Sequence, residues 1–241
     1  MKYLLEELSF DTKILERKTA KLIFLEEEDK LSESVARVKS IVEDLKNKKL
    51  EYVTTRIKAS NFPTIHALES QGFKLVDGYM VLEASVENGE FYENIREATE
   101  DDIPRLQEIA GSSFSKTRFY NDPEIKKSQA DEIYSQWIKN CVFKKAADLV
   151  LVLTKNDTIV GFTTIKKNGN IVLIAVENNQ QGKGLGKILV RAALKKFYEW
   201  GIKSSTIETQ MTNISALRTY MSCGYKITES YITLRWSLYE N

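Results

Sequence analysis

Residues 171–187 read IVLIAVENNQQGKGLGK, an apolar strand that runs through a glycine-rich turn straight into a helix. The first amides of a helix have no internal partners and lie at the positive end of its dipole. Gly182, Gly184 and Gly186 clear side chains from their front, so an anion as bulky as a pyrophosphate can approach them. Lys183 and Lys187 add positive charge at the same spot. The stretch is an anion cradle, and two familiar cradles are excluded. The dinucleotide pattern wants a third glycine at position 187, which is Lys187. The P-loop wants glycine at position 181 and Ser or Thr at 188, where Gln181 and Ile188 stand.

Around this feature the chain alternates strands and helices. Residues 78–83 and 92–96 are strand-like and flank an acidic-polar stretch at 85–93, the best boundary between an N-terminal domain (1–91) and a second domain (92–241). Thr99 with Asp102 three residues later is a helix start with a reciprocal acid, and Ile103, Leu106 and Ile109 supply an apolar face. Residues 132–142 are helical by the same spacing. Residues 147–153 and 158–165 are β-rich and joined by Asn156-Asp157, a hairpin signal. Residues 185–200 form a long amphipathic helix closed by Gly201; 204–208 are strand, 214–221 helix and 231–236 strand. This mixture predicts an α/β fold with a mostly antiparallel sheet flanked by helices.

The first half ends in an echo. Shifted by 152 residues, 50–82 lies over 202–234 without a gap, with identities that include Asn61/Asn213, Ser70/Ser222, Gly72/Gly224 and Tyr79/Tyr231. The N-terminal domain therefore reads as a smaller α/β unit, a degenerate partial copy of the closing strand–helix–strand of the second. Any such unit carries a strand, a helix and a glycine, which is the competing explanation.

Composition removes several function classes. Lys and Arg number 35 against 34 Asp and Glu, which leaves no basic footprint for nucleic acid or an anionic membrane. Two cysteines, Cys141 and Cys223, and one histidine, His66, exclude a His/Cys metal site and a Ser–His or Cys–His pair. Residues 1–11 lack the apolar centre of a signal peptide, and no apolar run is long enough for a bilayer. A cytoplasmic protein without metal is expected, with oligomeric state open and a homodimer among the options.

The stretch 181–187 resembles the coenzyme A-binding motif of the GNAT superfamily of N-acetyltransferases, Gln/Arg-x-x-Gly-x-Gly/Ala after an apolar strand, on Gln181, Gly184 and Gly186. Residues 95–103 look like the opening of such a domain, and Asn213, Leu217, Tyr220, Gly224 and Tyr225 match the superfamily's Asn…Tyr…Gly-aromatic segment. The resemblance implies the GNAT fold over 95–236 and acetyl-CoA as cosubstrate. It implies that Ile174 and Val176 on the strand, and Gln181, Gly182, Lys183, Gly184, Leu185, Gly186 and Lys187 in the cradle, hold the coenzyme. Asn213 would add a side-chain bond, although capping a helix is equally its ordinary work. Tyr220 is implied as the acid that protonates the departing thiolate. Its phenol, neutral at pH 7, can do so, yet Leu217, Tyr220 and Met221 also share a core-like helical face. The base is not legible: Glu177, Glu208 or a water chain would serve.

Residues 114–119, 134–138 and 209–213 further resemble superfamily members that acetylate nucleotide-linked amino sugars for bacterial cell-surface glycans. That implies a small amine acceptor, the 4-amino group of a nucleotide-linked 4-amino-4,6-dideoxygalactose. Thr219 departs from the basic residue of that pattern. Candidate acceptor residues are Arg118, suited to a pyrophosphate by its planar fork, and the aromatics Phe119, Tyr134 and Trp137. Trp137 at helical spacing from Ile133 fits a core position as well.

Overall fold

The computed structural model describes residues 2–25, 31–89 and 92–239. The order of elements is β1 (Tyr3–Glu7), α1 (Ser9–Leu15), β2 (Thr19–Phe24), α2 (Leu31–Asn47), β3 (Tyr52–Lys58), α3 (Phe62–Ser70), β4 (Lys74–Ser85), β5 (Ile95–Glu97) and α4 (Ile103–Ser113). There follow α5 (Arg118–Asn121), α6 (Lys127–Val142), β6 (Leu149–Lys155), β7 (Thr158–Ile165), β8 (Asn170–Val176), α7 (Leu185–Glu199), β9 (Ser204–Gln210), α8 (Ile214–Met221) and β10 (Lys226–Ser237). The mixed, mostly antiparallel architecture expected from the sequence is present.

By internal contacts the chain forms two units. The first is Met1–Tyr79 with Asn121–Ile125 and Ser230–Asn241; the second is Met80–Tyr120 with Lys126–Glu229. The division falls at Tyr79/Met80 instead of within 85–93. The final strand accounts for the C-terminal part of that difference: β10 pairs antiparallel with β3, Tyr231 opposite Lys58 through Ser237 opposite Tyr52, so its later residues count with the first unit. In that unit the strands run β1-β2-β3-β10, with β2 parallel to β3. Its core gathers Leu22, Val38, Ile41, Leu45, Val53, Leu68, Phe73 and Leu234. It also encloses a charge. Arg235 is 1% exposed, and its Nε donates to Asp122 Oδ2 at 3.1 Å, where the Tyr52 hydroxyl also donates at 2.6 Å. Buried ions persist only when paired and hydrogen-bonded in this way.

In the second unit the order is β4-β9-β8-β7-β6-β5. The hairpin between β6 and β7 turns on Asn156 and Asp157, at φ 49° and 59°, the left-handed conformation that a tight two-residue turn demands. The start of α4 is fixed as its spacing predicts: Thr99 N donates to Asp102 Oδ2 at 2.8 Å, and Arg96 holds the same carboxylate in a two-pronged pair at 2.7 and 2.9 Å. That guanidinium, together with the backbone donor, pulls the Asp102 pKa down to about 2. The helix α6 begins five residues before the predicted 132, because Gln129 Oε1 accepts from Lys126 N at 3.1 Å and caps its start. The helix α7 buries Leu189, Val190, Ala192, Ala193 and Phe197 against β7 and β8. A fully buried side chain such as Phe197 contributes about 2–3 kcal/mol. Gly161 on β7 makes room for this packing: a Cβ there would meet Ala175 O at 2.8 Å and Leu189 Cδ1 at 3.1 Å.

Candidate active site

The site begins where two strands part. Glu177 N donates to Val160 O at 2.9 Å, and Gly161 lies opposite Val176, which sets the phase of β8. Backbone groups of a strand alternate between its edges. Leu173, Ala175 and Glu177 therefore face β7, and the amides of Ile174 and Val176 face the β9 edge. Among the described residues, β9 pairs with β8 at Asn170↔Thr206 and Ile171↔Ile207 and no further. Both strands nevertheless continue, to Val176 and Gln210. An open backbone edge results, beginning beside Val172 and ending at the cradle. It suits an extended chain of amides, which the pantetheine arm of coenzyme A is.

The cradle follows directly. Gln181 Nε2 donates to Val176 O at 3.1 Å and to Asn178 Oδ1 at 3.0 Å, folding the turn back onto the strand end. Gly182 and Gly184 take φ of 77° and 80°, which favours glycine, and a Cβ built on either meets no atom within 4 Å. That open space is in front of the loop. Gly184 precedes α7 with no side chain capping it, and its carbonyl accepts from Lys187 N at 3.0 Å. The amides of Leu185 and Gly186 come before this first turn closes, so they are available to an anion. Lys183 Nζ bonds Asn179 O and Gln180 Oε1, both at 3.0 Å, so part of its task is to hold the loop. Lys187 is exposed one turn into the helix. A Cβ on Gly186 would lie an ordinary 3.5 Å from Thr219 Cγ2 of α8.

Asn213 caps α8, its Oδ1 accepting from Ala216 N at 3.3 Å. Tyr220, on the same helix, is 5% exposed and belongs to the core cluster of Ile171, Leu217 and Tyr225, its ring 6.3 Å from that of Tyr225. Glu177 meets Arg105 Nη2 at 2.5 Å, and Arg105 Nε donates to Ile159 O at 3.0 Å, so this carboxylate is turned toward α4. Glu208 is exposed on β9.

The acceptor candidates are brought together around one ring. Tyr134, 4% exposed, stacks on Phe114 at 4.5 Å and on Trp137 at 5.9 Å, and meets the edge of Phe119 at 5.9 Å. Arg118 lies over the Phe119 ring at 3.9 Å. Tyr134 and Phe119 are buried, and Phe114, Trp137 and Arg118 are half-buried, so these three form the more open side of the group. Ser113 Oγ reaches Val176 O at 3.4 Å, and Asn178 Nδ2 donates to Ser112 O at 3.2 Å. These bonds fix the end of α4, and Phe114 immediately after it, beside the open end of β8. Arg105, Ser112, Ser113 and Gly161 were not legible as site residues. Single polar or small residues, paired with partners at least 14 positions away, leave no local pattern.

Residues 104–225 match the acetyltransferase (GNAT) family. The chain belongs to this family. It is 31% identical over 180 residues to the dTDP-fucosamine acetyltransferase of Escherichia coli O6:H1, covering 73% of this chain and 77% of that one. It is 23% identical to the spore coat polysaccharide biosynthesis protein SpsD of Bacillus subtilis, over 75% of this chain and 65% of the other. Among solved structures, a GCN5-related N-acetyltransferase from Sphaerobacter thermophilus superposes with a TM-score of 0.64 at 15% identity, over 98% of this chain and 76% of that one. The GNAT chain described here is thus an acetyl-CoA-dependent N-acetyltransferase acting on an amine. Among its described residues no helix is long and apolar enough to cross a membrane.

Proposed function

We propose that this GNAT enzyme acetylates the 4-amino group of a nucleotide-linked 4-amino-4,6-dideoxygalactose, in the cytoplasm, where nucleotide sugars and acetyl-CoA are made. What carries this reading is the Tyr134 group with Arg118 beside it, set next to the open end of β8 by Ser112 and Ser113. Aromatic faces suit a base or a sugar ring, and a guanidinium suits a pyrophosphate. The E. coli relative, named for a nucleotide-linked amino sugar, supports the same class of acceptor.

Bound acetyl-CoA supplies an acetyl thioester and a thiol leaving group. The amides of residues 182–186 hold its pyrophosphate, and those of Ile174 and Val176 hold the arm along the β8 edge. The Val176 amide also donates to the thioester oxygen as charge develops there. Tyr220 keeps a proton on its hydroxyl for the departing sulfur. An assay of thiol release over free and nucleotide-linked amino sugars, polyamines and aminoglycosides tests the acceptor. Turnover with a nucleotide-linked 4-amino sugar well above the rest is the expected result. A polyamine or aminoglycoside as the best acceptor would remove the sugar reading and leave the acetyltransferase intact.

We also read residues 50–82 as a diverged copy of 202–234. In support, β3, α3 and β4 shifted by 152 residues fall on β9, α8 and β10 with the strand bounds unchanged.

A further inference from the structure

The strand β9 ends on a buried polar side chain that the reaction described so far does not use. Gln210, its last residue, is 7% exposed. Among the described residues its side-chain amide makes no hydrogen bond. Its backbone carbonyl accepts from Asn213 N at 3.0 Å, so the turn into α8 is closed by the main chain and asks nothing of the side chain. The Thr163 hydroxyl on β7 is also unpartnered but sealed off, whereas the Gln210 amide still meets open space. Burying an amide is costly unless something bonds it, and here the fold supplies no partner.

Alternation along β9 settles which way this amide points. The Ser205 hydroxyl lies 2.6 Å from that of Tyr225, and Ile207 packs in the cluster of Val190 and Phe197, so the odd positions face α7 and α8. Gln210 is on the other side of the sheet. On β8 the α7 side is taken by Ile174 and Val176, which pack with Leu189. Leu173 and Ala175 therefore share the side of Gln210, which α4 covers. Counting on from Ile171 opposite Ile207, Gln210 comes level with the end of β8, where the two strands have parted. At about 3.3 Å per residue it stands within about 7 Å of Val176 along the strand direction. Phe114, which follows α4, is fixed beside the same strand end by the contact of Ser113 Oγ with Val176 O.

In a 4-amino-4,6-dideoxygalactose the two carbons that flank the amine-bearing carbon differ. One carries the 3-hydroxyl, and the other carries the methyl group and the ring oxygen. We propose that the Gln210 amide binds the 3-hydroxyl and selects amines that have a hydroxyl on the neighbouring carbon. This deepens the acceptor reading given above and rests on it. A glutamine amide both donates and accepts, so it bonds the hydroxyl in either orientation.

The test is kcat/KM for the nucleotide-linked 4-amino-4,6-dideoxygalactose and for its 3-deoxy analogue, in the wild-type and Gln210→Met chains. Methionine keeps the unbranched length and removes the hydrogen bond. The wild type should prefer the hydroxylated sugar at least about tenfold, because the analogue leaves the buried amide without a partner. Gln210→Met should bring the two sugars within about threefold of each other by raising KM for the hydroxylated one, with kcat nearly unchanged. Its acetyl-CoA affinity, read by calorimetry, should equal that of the wild type. A wild-type enzyme that turns over both sugars equally would overturn the role of Gln210 and leave the acceptor reading standing; this comparison needs no variant to fold. A preference that survives in Gln210→Met, or a loss that falls on both sugars alike, would also overturn it. Turnover of neither sugar by the wild type would remove the acceptor reading and this proposal together.

Discussion

Residues 50–82 and 202–234 follow one path to different ends. In both, an Asn caps the helix at nearly one conformation, φ −87° and ψ 69° at Asn61 against φ −87° and ψ 65° at Asn213. In both, a glycine after the helix takes a left-handed φ, 88° at Gly72 and 92° at Gly224. The following aromatic amide then returns to the helix, Phe73 N to Leu68 O at 3.0 Å and Tyr225 N to Tyr220 O at 3.2 Å. What the two share serves the fold. Where they differ, 202–234 carries a hydroxyl that 50–82 lacks. Leu68 is fully buried in its core and stands where Tyr220 stands in the other. The position asks for an apolar body, and the hydroxyl of Tyr220 is additional. The contrast repeats upstream. Both units carry a strand parallel to the next with a helix between, β2-α2-β3 and β8-α7-β9. The second enters its helix through Gly182-Lys183-Gly184, whereas the sequence between β2 and α2 has no glycine and four acids, Glu26, Glu27, Glu28 and Asp29.

The widest gap between the segments is expected at Tyr220→Phe, which keeps the ring and deletes the hydroxyl. Turnover at saturating substrates should fall by about 10²–10⁴, with melting temperature nearly unchanged. Turnover within about threefold of wild type would make Tyr220 a packing residue like Leu68. Gly184→Val comes next. At φ 80° a branched residue is strained, and its side chain enters the space before the cradle. Acetyl-CoA affinity should drop at least about a hundredfold, the worth of two charge-assisted bonds, while circular dichroism shows the chain folded. An unchanged affinity would sink the cradle assignment.

Smaller effects sharpen the comparison. Asn61→Ala and Asn213→Ala should each cost about 1 kcal/mol in denaturant unfolding, since each loses one cap. Only Asn213→Ala should also weaken acetyl-CoA; equal ligand effects would mean that capping is its whole role. The smallest concerns a cap that titrates, as the Asn caps do not. Asp102 is held at about 2 against an ordinary 3.8, chiefly by Arg96. Its folded pKa is depressed, so its contribution is present above about pH 3.8 and lost as pH falls through about 2. Arg96 is 46% exposed, so solvent reduces the pair to about 1 kcal/mol. Asp102→Asn should lower stability by that amount at neutral pH, and by progressively less as pH falls from about 3.8 through about 2. A constant difference across pH would show that the charge is irrelevant.

Much of the second unit was legible because its signals are local. The Thr99–Asp102 start, the Asn156-Asp157 hairpin and the glycines of 182–186 each act within a few residues. Before residue 50 the first unit is not legible in its sequence: β1, α1, β2 and α2 carry no turn or cap pair as distinctive. The four-residue α5 was missed for the same reason. The parting of β8 and β9 was invisible too, because a strand's sequence does not say where its partner leaves. Resemblance and residue type single out Arg118, Phe119, Tyr134 and Trp137, but their convergence on one ring exists only in the fold.

The central claim is that one unit kept the coenzyme site and the other kept only its framework. Titration of the full chain with acetyl-CoA tests it most directly. The account predicts one equivalent bound per chain, abolished by Gly184→Val. A second saturable site of comparable affinity, or one that survives in Gly184→Val, would contradict it.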